Sequence, residues 1–160
     1  MVLFVSCNNS SDSSVKTIDS VEKRPGSSST KKKPKIRSDL AGCYRTVIGR
    51  DTVLLTIDES GPSVKGKLRF DNYQKDSSHG SIDGSSKGDT LVLWYDFFAE
   101  GMRSVMEIVL LRKGDDLLRA TGPIVGKGDT SFFKDHKQLR FEEDLALRKI
   151  DCSEVQNRLR

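Results

Sequence analysis

Three cysteines, Cys7, Cys43 and Cys152, carry the most distinctive chemistry of this 160-residue chain. A cysteine thiol can be acylated, oxidised to a disulfide or bound to a metal. Cys7 differs from the other two in its neighbours, because the apolar run Leu3–Val5 and the small residue Ser6 precede it and a polar, serine-rich segment follows. Those neighbours indicate lipid attachment at Cys7, and they leave Cys43 and Cys152 as the two thiols for other chemistry.

The segment around Cys7 looks like the end of a bacterial lipoprotein signal peptide. In that signal the thiol receives a diacylglyceryl group, and acyl chains then hold the mature protein on a membrane. A secretory signal also has a basic region and roughly 7–15 apolar residues. Only six residues precede Cys7, so either translation starts upstream or an ordinary N-terminus has a chance cysteine. We predict a signal-peptide remnant at residues 1–6 and a lipid on Cys7, in the bacterial cell envelope, on the outer membrane rather than the inner.

Residues 7–39 are predicted to form a disordered tether. Residues 8–39 contain nine serines and no aromatic residue, so they cannot bury enough apolar surface to offset the entropy of ordering. The net charge of +4 lies in residues 1–39, which leaves 19 of the 27 basic and 19 of the 23 acidic side chains for the remainder. The basic run Lys31–Arg37 fits a solvated linker, or attraction to anionic headgroups at about 1 kcal/mol per basic residue. Nucleic acid is not predicted as a partner, since that binding uses aromatic side chains for stacking.

The remaining ionisable groups show no catalytic pattern. His79 and His136 are the only histidines, and both stand in polar, loop-like segments. A zinc site uses three or four clustered ligands, and a serine nucleophile needs a base and an orienting partner. We therefore predict two solvated histidines, no catalytic residue, no metal and no cofactor, and a protein that is not an enzyme.

One polar group interrupts an apolar region between residues 96 and 107. It contains Asp96, Arg103 and Glu107, with Glu100 between them. The two carboxylates of Asp96 and Glu107 could point inward at the mouth of a ligand cavity. We predict instead that they form an ion pair with Arg103 across a hairpin, on the outer surface of the sheet.

The elements that must position these groups are strands separated by turns. The clearest is Val64–Asp71, where Val64, Leu68 and Phe70 share one face and Lys67 lies on the other, as in a half-buried strand. Turn-forming residues such as those at 60–63 separate the segments. The predicted strands are Cys43–Ile48, Thr52–Asp58, Val64–Asp71, Ser81–Gly84, Thr90–Phe98, Ser104–Arg112, Leu117–Thr121 and Gln138–Glu142.

Short strands with hairpin turns predict an all-β fold. An antiparallel meander avoids exposed edges by closing on itself, and a barrel of about eight strands has room for side chains or one small ligand. We predict an antiparallel up-and-down barrel over residues 40–152 and a C-terminal tail at residues 153–160. Gly66 and Gly84 suit close approach of neighbouring backbones in such a barrel. The residues predicted to line its cavity are Val64, Leu68, Phe70 and Trp94.

The chain resembles small lipocalin-like lipoproteins of Gram-negative bacteria. The resemblance rests on Cys43-Tyr44 with the strand that begins at Asp51, on the segment from Lys65-Gly66 to Gly84, and on Gly88-Asp89-Thr90-Leu91. It implies a lipocalin-like barrel and a lipid anchor. A related group, the copper-resistance lipoproteins, has Cys-x-x-Cys beside the first strand. Cys43 stands alone there, so the metal role does not carry over.

Cys43 and Cys152 stand at the two ends of the predicted domain. Export would place them in an oxidising compartment, where a pair of thiols is usually bridged, and a barrel brings its first and last strands together. A disulfide is the prediction, and two unrelated thiols are the alternative. The predicted function is a membrane-anchored lipoprotein that binds a small apolar ligand or an envelope protein. A structural or interaction module with a filled barrel is the alternative.

Overall fold

The computed structural model describes residues 40–155 and 158–159, which form β-strands joined by turns and short 3₁₀ helices. The lipid-attachment prediction for Cys7 and the tether prediction for residues 7–39 lie outside these residues. Within them, no helix has the length and apolar character needed to cross a membrane. The strands are β1 (Gly42–Ile48), β2 (Asp51–Glu59), β3 (Ser63–Asp71), β4 (Ser78–Lys87), β5 (Thr90–Ala99), β6 (Met102–Lys113), β7 (Asp116–Thr121), β8 (Ile124–Lys127), β9 (Thr130–Phe133), β10 (Arg140–Phe141) and β11 (Arg148–Ile150).

The first seven strands form an antiparallel meander in which each strand pairs with its successor. Tight turns join them, and Gly88 and Gly114 occupy the turns at φ values of 63° and 65°, which glycine adopts without steric cost. β11 pairs with β1, and β10 pairs with β7. β9 pairs in parallel with β6 and antiparallel with β8. The prediction of an all-β, mainly antiparallel fold is confirmed.

Three glycines, Gly66 on β3 with Gly80 and Gly84 on β4, lie close to the backbones of neighbouring strands. A Cβ at Gly66 would lie 1.8 Å from the Thr56 carbonyl oxygen, and one at Gly84 would lie 2.1 Å from the Val92 oxygen. Beside Gly66, the register of β2 against β3 shifts between Ile57 and Glu59, which bends the strand pair. The close approach predicted for Gly66 and Gly84 is therefore present.

The main hydrophobic core lies on one face of the meander. β3 contributes to it through Val64, which is fully buried, and Leu68, while Lys67 on the opposite face is exposed. The alternation predicted for β3 is confirmed. The buried members of this core are Leu40, Tyr44, Val53, Leu55, Ile57, Val64, Leu68, Ile82, Leu91, Leu93, Tyr95, Ile108, Leu110, Leu117 and Leu147.

A disulfide joins Cys43 in β1 to Cys152, with Cα atoms 5.1 Å apart, and the prediction of this bridge is confirmed. It lies on the outer face of the sheet, in a small cluster with Leu54 and Val155. Val155 is buried, and the Arg158 guanidinium donates to the Asp71 carboxylate at 2.6 Å. Residues after the disulfide therefore pack on the sheet, although the sequence analysis placed a tail there.

The sheet is not closed. Its strands run in the order β10, β7, β6, β5, β4, β3, β2, β1, β11, so β10 and β11 end the two edges. The edges approach each other at one isolated bridge, in which Leu117 and Leu147 exchange backbone hydrogen bonds of 3.0 and 2.8 Å. The Asp116 carboxylate also accepts from the Arg148 guanidinium at 2.7 Å.

Candidate functional site

The candidate site is a gap between β6 and β7. The two strands pair only near their turn, from Leu110 opposite Arg119 to Lys113 opposite Asp116. Beyond that point β6 pairs with β9 instead, and β7 pairs with β10. The gap holds a cavity of about 350 Å³, within the usual range for small-molecule pockets of about 300–1,000 Å³. It is lined by Phe70, Met106, Glu107, Ile108, Val109, Arg119, Ala120, Thr121, Gly122, Ile124 and Phe133.

An aromatic cluster in the core meets the inner side of the gap through Phe70. The Tyr95 ring stacks on Phe97 with centroids 4.7 Å apart and lies 5.8 Å from Phe70. Its hydroxyl donates to the Ser78 hydroxyl at 3.1 Å, and burial raises the pKa of Tyr95 to about 12. Phe70, Phe97 and Met106 remain only partly buried at the edge of the core. Packing of the core is therefore incomplete at the gap.

Arg119 places a positive charge in this apolar surrounding. It stands opposite Leu110 in the β6–β7 register, so its side chain leaves the sheet on the core face. The guanidinium carbon lies 5.4 Å from the centre of the Phe70 ring. Burial lowers the pKa of Arg119, but a guanidinium stays protonated in proteins. Among residues 40–155 and 158–159, no carboxylate forms an ion pair with it.

Glu107 closes the outer side of the gap. The residue is only 6% exposed, and its carboxylate accepts from the Phe133 backbone N–H at 2.9 Å and contacts His136 Nε2 at 2.8 Å. Asp135 caps the 3₁₀ turn at His136 by accepting from the Lys137 backbone N–H at 2.9 Å. The carboxylate therefore holds the end of β9 and the following turn beside β6.

The prediction for the polar group of β5 and β6 is half right. Asp96 and Arg103 form the expected ion pair, with an Nε–Oδ1 distance of 2.8 Å, and this hydrogen bonding lowers the pKa of Asp96. Glu107 does not join them, because β9 covers it. The side chain of His136 is 49% exposed, as expected of a solvated histidine, and its ring also hydrogen-bonds to this buried carboxylate. The sequence signal for Glu107 was a single acid between Met106 and Ile108 in an apolar strand.

The four residues predicted to line a cavity occupy three different environments. Val64 and Leu68 lie in the packed core, and only Phe70 reaches the gap. Trp94 is 42% exposed, so its assignment to the interior is corrected. Leu93 and Tyr95 point into the core, and the alternation of the strand places Trp94 on the outer face.

The described residues around the gap bear on the two common kinds of catalytic site, a nucleophile–histidine pair and a metal centre. His136 contacts a carboxylate, but no serine, threonine or cysteine of the described part of the chain hydrogen-bonds to its ring, so the nucleophile of a catalytic triad has no counterpart there. No group of three His, Cys, Asp or Glu side chains in that part could hold a metal ion. The chemical features of the gap are apolar side chains, the cation of Arg119 and the hydrogen-bonded carboxylate of Glu107.

Comparison of the chain with protein-family models, curated proteins and solved structures finds no match.

Proposed function

We propose that the protein is a non-enzymatic lipoprotein of the bacterial cell envelope that binds a small apolar ligand in the gap between β6 and β7. The observation that carries the proposal is the cavity of about 350 Å³ with mainly apolar lining. Apolar cavities with a few polar groups are the usual form of small-molecule sites. Acyl chains on Cys7 would hold the protein on the outer membrane, close to a source of apolar molecules.

The proposed architecture is a lipocalin-like barrel of about eight strands, made by β1–β7 and β11. Within the described residues no strand ladder closes the sheet, and the proposed barrel is supported by three contacts between β7 and the segment that leads into β11. They are the Leu117–Leu147 bridge, the Asp116–Arg148 ion pair, and a hydrogen bond of 3.3 Å from the Lys149 backbone N–H to Asp116. Barrels of this size hold one small ligand at most.

A second candidate is a structural or interaction module with a filled barrel, which would meet other envelope proteins through its surface. It is favoured by the dense packing away from the gap, where Leu91, Leu93, Leu110 and Leu117 are fully buried. The two candidates differ in the gap alone. One requires it to admit a ligand, and the other does not.

Titration with N-phenyl-1-naphthylamine, a neutral apolar fluorophore, tests the proposal. We expect saturable binding with one site per chain, because the gap offers apolar surface to a molecule of that size. Met106→Trp should abolish binding by filling the gap, whereas Trp94→Phe on the outer face should leave the Kd unchanged. Absence of saturable binding in the wild-type protein would favour the filled barrel.

Cys7→Ser tests the anchor. With the natural upstream sequence present, the variant should leave the membrane fraction, because the acyl chains on Cys7 are the proposed attachment. Mass spectrometry of the wild-type N-terminal peptide should show the added acyl mass. Unchanged membrane distribution of Cys7→Ser would contradict the lipoprotein proposal without affecting the ligand proposal.

A further inference from the structure

We propose that the ligand of the gap is an anionic amphiphile, whose charged head binds the Arg119 guanidinium while its apolar body contacts Phe70, Met106 and Ile108. This inference rests on the proposed function and specifies its ligand class. It assigns to Arg119 the role of a specificity-determining residue. The head group can be a carboxylate, a sulfonate or a phosphate ester, which share the negative charge and the oxygen acceptors that a guanidinium binds.

The position of Arg119 is the first support. Arg119 is partly buried, and a cation that loses part of its hydration is normally paired with an acid, because desolvation of an unpaired charge is costly. Arg119 instead has the Phe70 ring as its contact, at 5.4 Å, and no ion pair with any carboxylate of the described residues. An arginine is more than a packing residue at such a site, since leucine or methionine would fill the same space without that cost. A bound anion would supply the missing partner.

The charge of the opposite wall is the second support. Glu107 also borders the gap, but its two oxygens are occupied by the Phe133 N–H and His136. A cationic ligand group would compete for this carboxylate with the Phe133 N–H and His136, which hold the end of β9 in place. An anion can bind Arg119 with no such competition, provided its head lies on the core side and away from Glu107.

The apolar rim near the gap is the third support. The turns between β1 and β2, β3 and β4, and β5 and β6 lie at the end of the sheet toward which β6 separates from β7. Large apolar side chains at these strand ends are exposed, and Met102 is the most relevant because it begins β6 and shares the face of Met106 and Ile108. The rim offers an apolar approach for the tail of an amphiphile.

Two matched fluorophores test the inference. 8-Anilino-1-naphthalenesulfonate carries a sulfonate that N-phenyl-1-naphthylamine lacks, and the two share the same aromatic skeleton. We expect the wild-type protein to bind the sulfonate more tightly. Arg119→Gln should weaken sulfonate binding by about tenfold or more, the usual loss for a hydrogen bond to a charged group, and should change the Kd of the neutral probe less than twofold.

Controls separate the site from the protein surface. Lys67→Gln removes one positive charge from the outer face and should leave both Kd values unchanged. Arg119→Lys keeps the positive charge and should retain part of the preference for the sulfonate. Met106→Trp should abolish the complexes with both probes. If Arg119→Gln does not fold, the salt dependence of binding to the wild-type protein tests the inference. Added salt should weaken the sulfonate complex and leave the complex with the neutral probe unaffected.

The outcomes for the two proposals are distinguishable. Equal binding of both probes, or a sulfonate Kd that Arg119→Gln leaves unchanged, would overturn the anionic-ligand inference while the apolar-ligand proposal stands. Absence of binding by either probe would overturn both. Sulfonate binding that survives Met106→Trp would place the probe on the exposed rim and would also overturn the inference.

Discussion

Leu68→Ala should lower the free energy of unfolding by about 2–5 kcal/mol, the range for truncation of buried leucines. Leu68 is 3% exposed and stands opposite Leu55 on β2 and Gly80 on β4. The glycine leaves little side-chain material nearby that could fill the space left by the truncation. Guanidinium denaturation monitored by circular dichroism gives the shift in the midpoint.

Lys67→Ala is the matched control for Leu68→Ala. Lys67 is the preceding residue on β3, and its side chain lies on the exposed face. Its truncation should change the free energy of unfolding by less than about 0.5 kcal/mol, as is usual for surface positions. Equal midpoint shifts in the two variants would contradict the assignment of one buried and one exposed face to β3.

Removal of the disulfide should destabilise the protein by about 2–5 kcal/mol. The bridge joins residues 109 positions apart, so it restricts the unfolded chain strongly. It also holds Cys152 and the residues after it against β1, where Val155 covers Leu54. Cys43→Ser and Cys152→Ser should lower the denaturation midpoint by similar amounts, because each breaks the same bond.

The matched control for the disulfide is reduction of the wild-type protein. Dithiothreitol should shift the wild-type midpoint toward that of the serine variants and leave the midpoints of those variants nearly unchanged. Non-reducing peptide mapping of exported protein should recover Cys43 linked to Cys152. Two thiols that react with iodoacetamide before reduction would contradict the bridge.

The sequence predicted the strands whose side chains alternate. β3 is the clearest case, since Val64, Leu68 and Lys67 take the faces that the period of two assigns to them. Trp94 was placed incorrectly because β5 is apolar on both faces, so its sequence has no alternation to assign a face. Burial of Glu107 and its contact with His136 could not be predicted, because they depend on parallel pairing between β6 and β9.

The gap arises because β6 and β7 stop pairing with each other and pair with β9 and β10 instead. The sequence of the two strands does not indicate this change. β7 leaves β6 after Arg119 and pairs with β10, a strand of only two residues. The strands β8, β9 and β11 have only three or four residues each. They are too short to show a repeating pattern in the sequence. Arg119 lies in a six-residue strand with Leu117 and Leu118, and its position beside Phe70 becomes evident only when β3 and β7 are brought together.

The most direct test of the account is the location of the neutral fluorophore on the protein. Two-dimensional NMR of protein with labelled methyl groups, recorded during titration with N-phenyl-1-naphthylamine, reports which side chains the probe contacts. Binding in the gap predicts saturable shifts at Met106, Ile108, Val109 and Ala120, with little change at Val64 and Leu91 in the packed core. Shifts confined to Met102 and other rim residues, with none in the gap, would contradict it.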